Sequence, residues 1–246
     1  MKKYLYVLML SAGFMGISAQ TNEQWRLGFQ FGFQGNHAQL IGGDKMADAR
    51  FEQNNAGAAG LNLFARYDYN QHWMLLTGIG LSSYGFEFSL ANKYALSLPE
   101  SRRTVLKGGI GLLEIPFMLH YKFNPNCKQV KWIVGAGFIQ NLQGGNRLSV
   151  QELKISEGYT GIGYFNCEVK QSRALFPTIR FSVGREKQLE GGGILNCSLL
   201  LNYGFAQNAR ATVNYEIDGQ AYTHQFGNRG NYAGIRIAYY LAPFKQ

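Results

Sequence analysis

Alternation constrains this chain more than any other feature. In the stretch 113–123, LEIPFMLHYKF, the odd positions Leu113, Ile115, Phe117, Leu119, Tyr121 and Phe123 are apolar or aromatic, and the even positions include Glu114, His120 and Lys122. Successive side chains of a strand point to opposite faces, so this spacing predicts a strand with one greasy and one charge-tolerant face. What the rest of the chain must decide is whether the greasy face packs on protein or on lipid.

The pattern recurs. Segments 25–34, 57–68, 72–84, one from about 109 that contains 113–123, 129–141, 173–185, 193–205 and 230–241 make eight predicted strands. The connections 35–56, 85–107, 142–171 and 206–229 are long, with strand-like pieces at 86–90 and 148–155, whereas 69–71, 124–126 and 186–192 are short turns. Long and short connections therefore alternate. An outer-membrane barrel has this arrangement, with short periplasmic turns, long outside loops and an even strand number that leaves both termini on the periplasmic side. Each segment is long enough for a tilted membrane strand, which needs about 9–11 residues. Aromatic residues near segment ends (Trp25, Tyr67, Trp73, Tyr121, Phe123, Trp132, Tyr203, Phe205 and Tyr239) suit two interfacial girdles. Lipid leaves backbone polar groups unsatisfied, so a spanning sheet must close on itself. The fold expected is all-β: an eight-stranded antiparallel transmembrane barrel of up-and-down topology. A lipocalin-like barrel or a β-sandwich is the soluble rival, and would bury the greasy face centrally.

The N-terminus agrees with export. Lys2 and Lys3 precede an apolar run to Ile17, and Ser18-Ala19 supplies small residues for cleavage before Gln20. The expected organisation is a signal peptide at 1–19 and a barrel domain at 20–246. Cys127, Cys167 and Cys197 are too few for a disulfide framework and lack metal-ligand spacing. The formal charge of +9 comes from cations scattered along the chain, read as a solvated surface plus internal ion pairs rather than a nucleic-acid patch.

Glu114, His120 and Lys122 fall on the inward face of their strand, as do Arg26, Arg66, Asp68, Lys131, Arg180 and Arg236 on theirs. An eight-stranded barrel is just wide enough for side chains to fill it. Unpaired buried charge is very costly. These nine residues are expected to form a lumenal network with Glu114 as its hub. A pore or proton path is the functional alternative. Pro116 also lies inward; it lacks the ladder donor, so a bulge or local break is expected nearby, and Pro177 raises the same question. His37 and His224, in long connections with Asp44 and Asp218 available, are the rim positions a lipid hydrolase would use, but spacing defines no dyad. No catalytic residue, metal site or cofactor is assigned. Gly191-Gly192-Gly193 lacks the Lys-Ser/Thr of a phosphate loop and is read as a turn.

The Leu-Glu-Ile-Pro run before an aromatic strand end and a short turn, with the following Val134-Gly135-Ala136-Gly137, resembles the middle strands of the Bacteroidetes outer-membrane β-barrel domain, the PorT-like family. The likeness is recognisable over 113–138. It implies a non-enzymatic outer-membrane barrel with a plugged lumen, in contact with outer-membrane lipid and lipopolysaccharide, acting through its loops on a protein partner in assembly or secretion. The alternatives are an adhesion barrel of the OmpX kind, a narrow channel and a rim-site lipid hydrolase.

Overall fold

Strands with one apolar and one polar face need two different surroundings, and a closed ring supplies them. The computed structural model describes residues 24–36, 39–43, 51–54, 56–90, 104–123, 130–144, 147–148, 162–217 and 220–243. Among these the strands are β1 (Gln24–Asn36), β2 (Gln39–Gly43), β3 (Phe51–Asn54), β4 (Ala56–Asp68), β5 (Trp73–Leu90), β6 (Thr104–Phe123), β7 (Val130–Gln143), β8 (Arg147–Leu148), β9 (Ile162–Gln171), β10 (Leu175–Gln188), β11 (Ile194–Gly204), β12 (Ala209–Ile217), β13 (Gln220–Asn228) and β14 (Tyr232–Tyr240). Eight of them, β1, β4, β5, β6, β7, β10, β11 and β14, pair antiparallel in that order. The last closes on the first, from Gly28↔Tyr240 to Asn36↔Tyr232. This is the expected eight-stranded up-and-down barrel.

The outward face carries exposed Leu27, Phe29, Leu63, Ile79, Leu119, Phe138, Phe181, Leu199 and Ile235. An apolar surface this continuous belongs in contact with lipid. At the short-turn end it finishes in Trp25–Tyr67 and Trp73–Tyr121, with ring centroids 4.8 and 4.9 Å apart, and at the other end in Tyr203–Phe205 at 5.8 Å. The turn before β5 is built by Asn70, whose Oδ1 accepts from the backbone N–H groups of His72 and Trp73. Gly191 and Gly192, with φ of 90° and 87°, make the turn before β11, where residues with a Cβ are disfavoured.

The long connections depart from the sequence-based expectation. β5 continues through the strand-like piece expected at 86–90, β6 starts at Thr104, well before the expected 109, and β3 adds to β5 beyond the barrel wall. The predicted loops at 142–171 and 206–229 contain β8, β9, β12 and β13, which with β2 form a second sheet in the order β2-β13-β12-β9-β8. Three of the four long connections thus interlock. Sequence reading took most of these stretches as loop because these strands are rich in Asn, Gln, Glu and Thr. The predicted turn at 186–192 is also shorter than expected: β10 continues through Gln188. The leader at 1–19, the turn at 124–126, His37, Asp44, Cys127, 149–155 and Asp218 lie outside the described residues.

Both prolines are accommodated without a bulge. Pro116 keeps its register partner Ile139 on β7. The β5–β6 ladder skips from Thr77↔Phe117 to Gly80↔Glu114 in unchanged register, so the break expected near Pro116 falls on the β5 side. Pro177 lies one residue before the first β10–β11 pair, Thr178↔Gly204, and so deprives that ladder of no donor.

Candidate functional site

The polar faces of the eight strands meet in the lumen, where two charge clusters sit at different heights. In the middle, Glu114 is wholly buried. Its Oε1 accepts from Ser82 Oγ at 2.6 Å and Tyr232 Oη at 3.0 Å. Its Oε2 accepts from Arg180 Nη2 at 2.8 Å and Arg236 Nη2 at 3.4 Å. Arg180 Nη2 also donates to the Tyr232 hydroxyl, and its Nε donates to Asn202 Oδ1 at 3.3 Å. Thr178 and Asn141 extend the chain of bonds.

The second cluster lies at the short-turn end. Arg66 Nη1 donates to Glu186 Oε2 at 2.8 Å and Nη2 donates to Asp68 Oδ1 at 2.9 Å. Lys122 Nζ donates to Asp68 Oδ1 at 2.8 Å. Arg26 Nε lies 3.6 Å from Asp68 Oδ2, and its Nη1 donates to the Gly192 carbonyl at 2.6 Å. His120 Nε2 lies 3.1 Å from Ser182 Oγ. A Cβ on Gly135 would collide with the His120 ring, so the imidazole rests on bare backbone.

Which strands are bridged matters more than how many bonds form. β4 stands opposite β10 across the eight-membered ring, and β6 stands opposite β14. Arg66–Glu186 and Glu114–Arg236 therefore cross the barrel from wall to wall. They act as struts at two heights, made of groups that would be very costly to bury singly. Each cluster holds one more cation than carboxylate: Arg180 and Arg236 against Glu114, and Arg26, Arg66 and Lys122 against Asp68 and Glu186.

Eight of the nine residues expected in the lumenal network are in contact or buried there. Lys131 is half-buried at the start of β7 and makes no ion pair among the described residues. It sits where the barrel opens to solvent, and its register partner Glu186 is already engaged by Arg66. Sequence reading missed Glu186, assigned to a turn, and Tyr232, placed at a strand margin. Continuing the alternation of β10 from Arg180 through Ser182 and Gly184 would have found Glu186.

Of the rim histidines, His224 is buried on the inner face of β13 rather than solvated in a loop. Among the described residues the His120–Ser182 pair has no carboxylate on the second ring nitrogen, since none of them hydrogen-bonds His120 Nδ1. It thus lacks the third member that orients a nucleophile–base pair. Among the described residues no group of three or more His, Cys, Asp or Glu could hold a metal. Cys167 is buried in β9, and burial pushes its thiol up to about 12, away from reactivity.

The family model for the outer membrane protein beta-barrel domain matches residues 18–184. No curated protein matches the chain. Among solved structures, the outer membrane protein OprG from Pseudomonas aeruginosa is 13% identical with a TM-score of 0.45, over 91% of this chain and 96% of that one. Neisserial surface protein A is 12% identical with a TM-score of 0.40, over 88% of this chain and 99% of that one.

Proposed function

Because the chain belongs to the outer membrane protein beta-barrel domain family, we propose that this outer-membrane barrel is closed to conduction and works without catalysis, through the sheet its long connections build, on a protein partner in assembly or secretion. The observation that carries the plug is the pair of struts, Arg66–Glu186 and Glu114–Arg236, which span the lumen at two heights. In a barrel this narrow, two crossing side-chain pairs and their neighbours occupy the path an ion would take. The second sheet supports action through the loops. Three connections ordered into one β-sheet form a surface of fixed shape, which binds with less ordering cost than separate flexible loops. The secretion-accessory assignment rests on the resemblance of 113–138 to the PorT-like barrels.

Planar-bilayer recording tests the plug. The purified barrel should give no steady open level, and a stable conductance would overturn the closed-lumen reading. Deleting residues 209–228 tests the loops. The barrel should still migrate in its heat-modifiable form, and cargo secretion should fall. Loss of surface attachment with secretion intact would assign the sheet to adhesion instead. A lipid A mass profile that changes with the gene would restore a rim hydrolase.

A further inference from the structure

We propose that the outward face at the long-connection end carries a docking row for phosphorylated lipid of the outer leaflet, formed by Lys170, Arg173 and Arg210. Cations that look scattered along the sequence are brought together by the second sheet. Arg147, Lys170 and Arg210 are register partners across β8, β9 and β12. The side chains of Lys170 and Arg210 are exposed on the outward face.

Like charges directly opposite one another destabilise a sheet. Among the described residues only one part-exposed carboxylate comes near this row. Across from Arg210 on the next strand is Gly227, which has no side chain to offer. Lys170 Nζ has Glu168 at 3.1 Å, a pair 60% and 34% exposed and so strongly screened. Arg173 and Arg210 make no ion pair among the described residues. An anion from outside the chain would remove the repulsion.

The height of the row identifies the anion's source. Ser172 N–H and Arg173 N–H donate to the Asn208 carbonyl, at 2.8 and 3.3 Å, which fastens β9 and β12 onto the wall above β10 and β11. Arg173 therefore stands just beyond exposed Leu175 at the end of the apolar band. The exposed aromatic pair Tyr203–Phe205 closes the neighbouring β11 at this same end. At this end the apolar and aromatic side chains of the wall give way to cations. That is also the order of acyl chain, interface and phosphate in a leaflet. An acidic protein would need the cations but not their placement above an aromatic girdle. With short turns at the periplasm, this end faces the outer leaflet.

The test uses the full barrel in phosphatidylcholine nanodiscs doped with bisphosphorylated lipid A or its dephosphorylated form, with retained lipid A counted by mass spectrometry after detergent exchange. Wild type should retain the phosphorylated form, less so as salt rises. Each exposed cation near an anionic headgroup contributes about fivefold. Arg210→Gln alone should therefore lower retention about fivefold, and Lys170→Gln/Arg173→Gln/Arg210→Gln tenfold or more. Arg185→Gln/Lys187→Gln, at the short-turn end, should leave it unchanged. Equal retention by the triple variant in its heat-modifiable folded form, or by wild type of the dephosphorylated lipid, would overturn the proposal. Should the triple variant not fold, Arg210→Gln decides alone. Loss of acidic-protein capture with lipid retention intact would assign the row to a protein and likewise overturn it. None of these readouts depends on whether the lumen conducts.

Discussion

Follow the inward face of β6 from its C-terminal end and the residues change character. Lys122, His120 and Glu114 are buried and polar, with Met118 buried among them; Leu112 and Ile110, further along the same face, are buried and apolar. The second sheet completes the contrast. In the barrel the buried face carries Arg66, Glu114 and Arg180, and the exposed face carries Leu63, Phe181 and Leu199. In β9 and β12 the buried face carries Cys167, Val169, Ala211 and Val213, and the exposed face carries Lys170 and Arg210. The two regions use one backbone plan, with exposed faces of opposite polarity; the lumen also buries an apolar cluster that includes Phe64, Met118 and Ile139. Alternation says which residues share a face; the surroundings decide which face turns inward. In lipid the apolar face is already satisfied and the charges must pair in the lumen. In water the apolar face gathers and the charges face out.

That contrast makes the lumen the place where one substitution costs most. Glu114→Gln removes the carboxylate shared by Arg180 and Arg236, leaving two buried guanidinium groups against a neutral amide. Removing one partner of a buried pair destabilises by about 3–5 kcal/mol. Urea unfolding of the vesicle-reconstituted barrel, followed by tryptophan fluorescence, should show a loss of that size. Glu168→Gln, which breaks the exposed Lys170–Glu168 pair, should leave the same curve in place. A loss below about 1 kcal/mol for Glu114→Gln would mean that water in the lumen solvates the arginines. The dry-strut picture would then fail.

The outward faces provide the second comparison. Leu199 stands in the middle of β11 on the lipid face. Leu199→Arg should cost about 2–4 kcal/mol, as charge does at the bilayer midplane. Thr212 occupies an outward position of β12. Thr212→Arg should change stability by no more than about 0.5 kcal/mol, as surface substitutions do. The same unfolding assay ranks them. Equal costs would erase the boundary between lipid-facing and water-facing wall.

The sequence exposed this boundary only on one side of it. The barrel strands were legible because their apolar positions, such as Phe29, Phe31 and Phe33, recur with period two over many residues and end in aromatics. Their inward partners followed from parity, which is why Arg66, Glu114, Arg180 and Arg236 could be named together. The ion pairs between them could not be read, because Arg66 and Glu186 are 120 positions apart and meet only through closure of the ring. The second sheet was illegible for a different reason. Its strands come from three separate connections, β2 and β8 are short, and the sheet is held by its members' backbones rather than by a local pattern. Residues such as Asn208 and Asn228 also read locally as loop formers, yet Asn208 N–H donates to the Asn228 carbonyl where the sheet joins the barrel.

Pro116 offers the smallest and most local test of how far the barrel half follows ideal strand rules. Its ladder to β7 is continuous, while that to β5 is interrupted opposite Gly78 and Ile79 without a change of register. Pro116→Ala restores an N–H at the interruption. A net hydrogen bond is worth about 0.5–1.5 kcal/mol. Against it, the variant loses about 0.4–1 kcal/mol that proline supplies by restricting the unfolded chain. The two effects nearly cancel, so stability should change by less than about 1 kcal/mol, and the new amide should exchange slowly with solvent deuterium. A loss above about 2 kcal/mol would show that the break is needed. Gly78 then becomes the reason: it lies so close to the Leu63 carbonyl and Phe64 Cα of β4 that a Cβ there would clash. A ladder drawn shut between β5 and β6 would pull Gly78 away from that close packing on β4, and the proline would be preserving it.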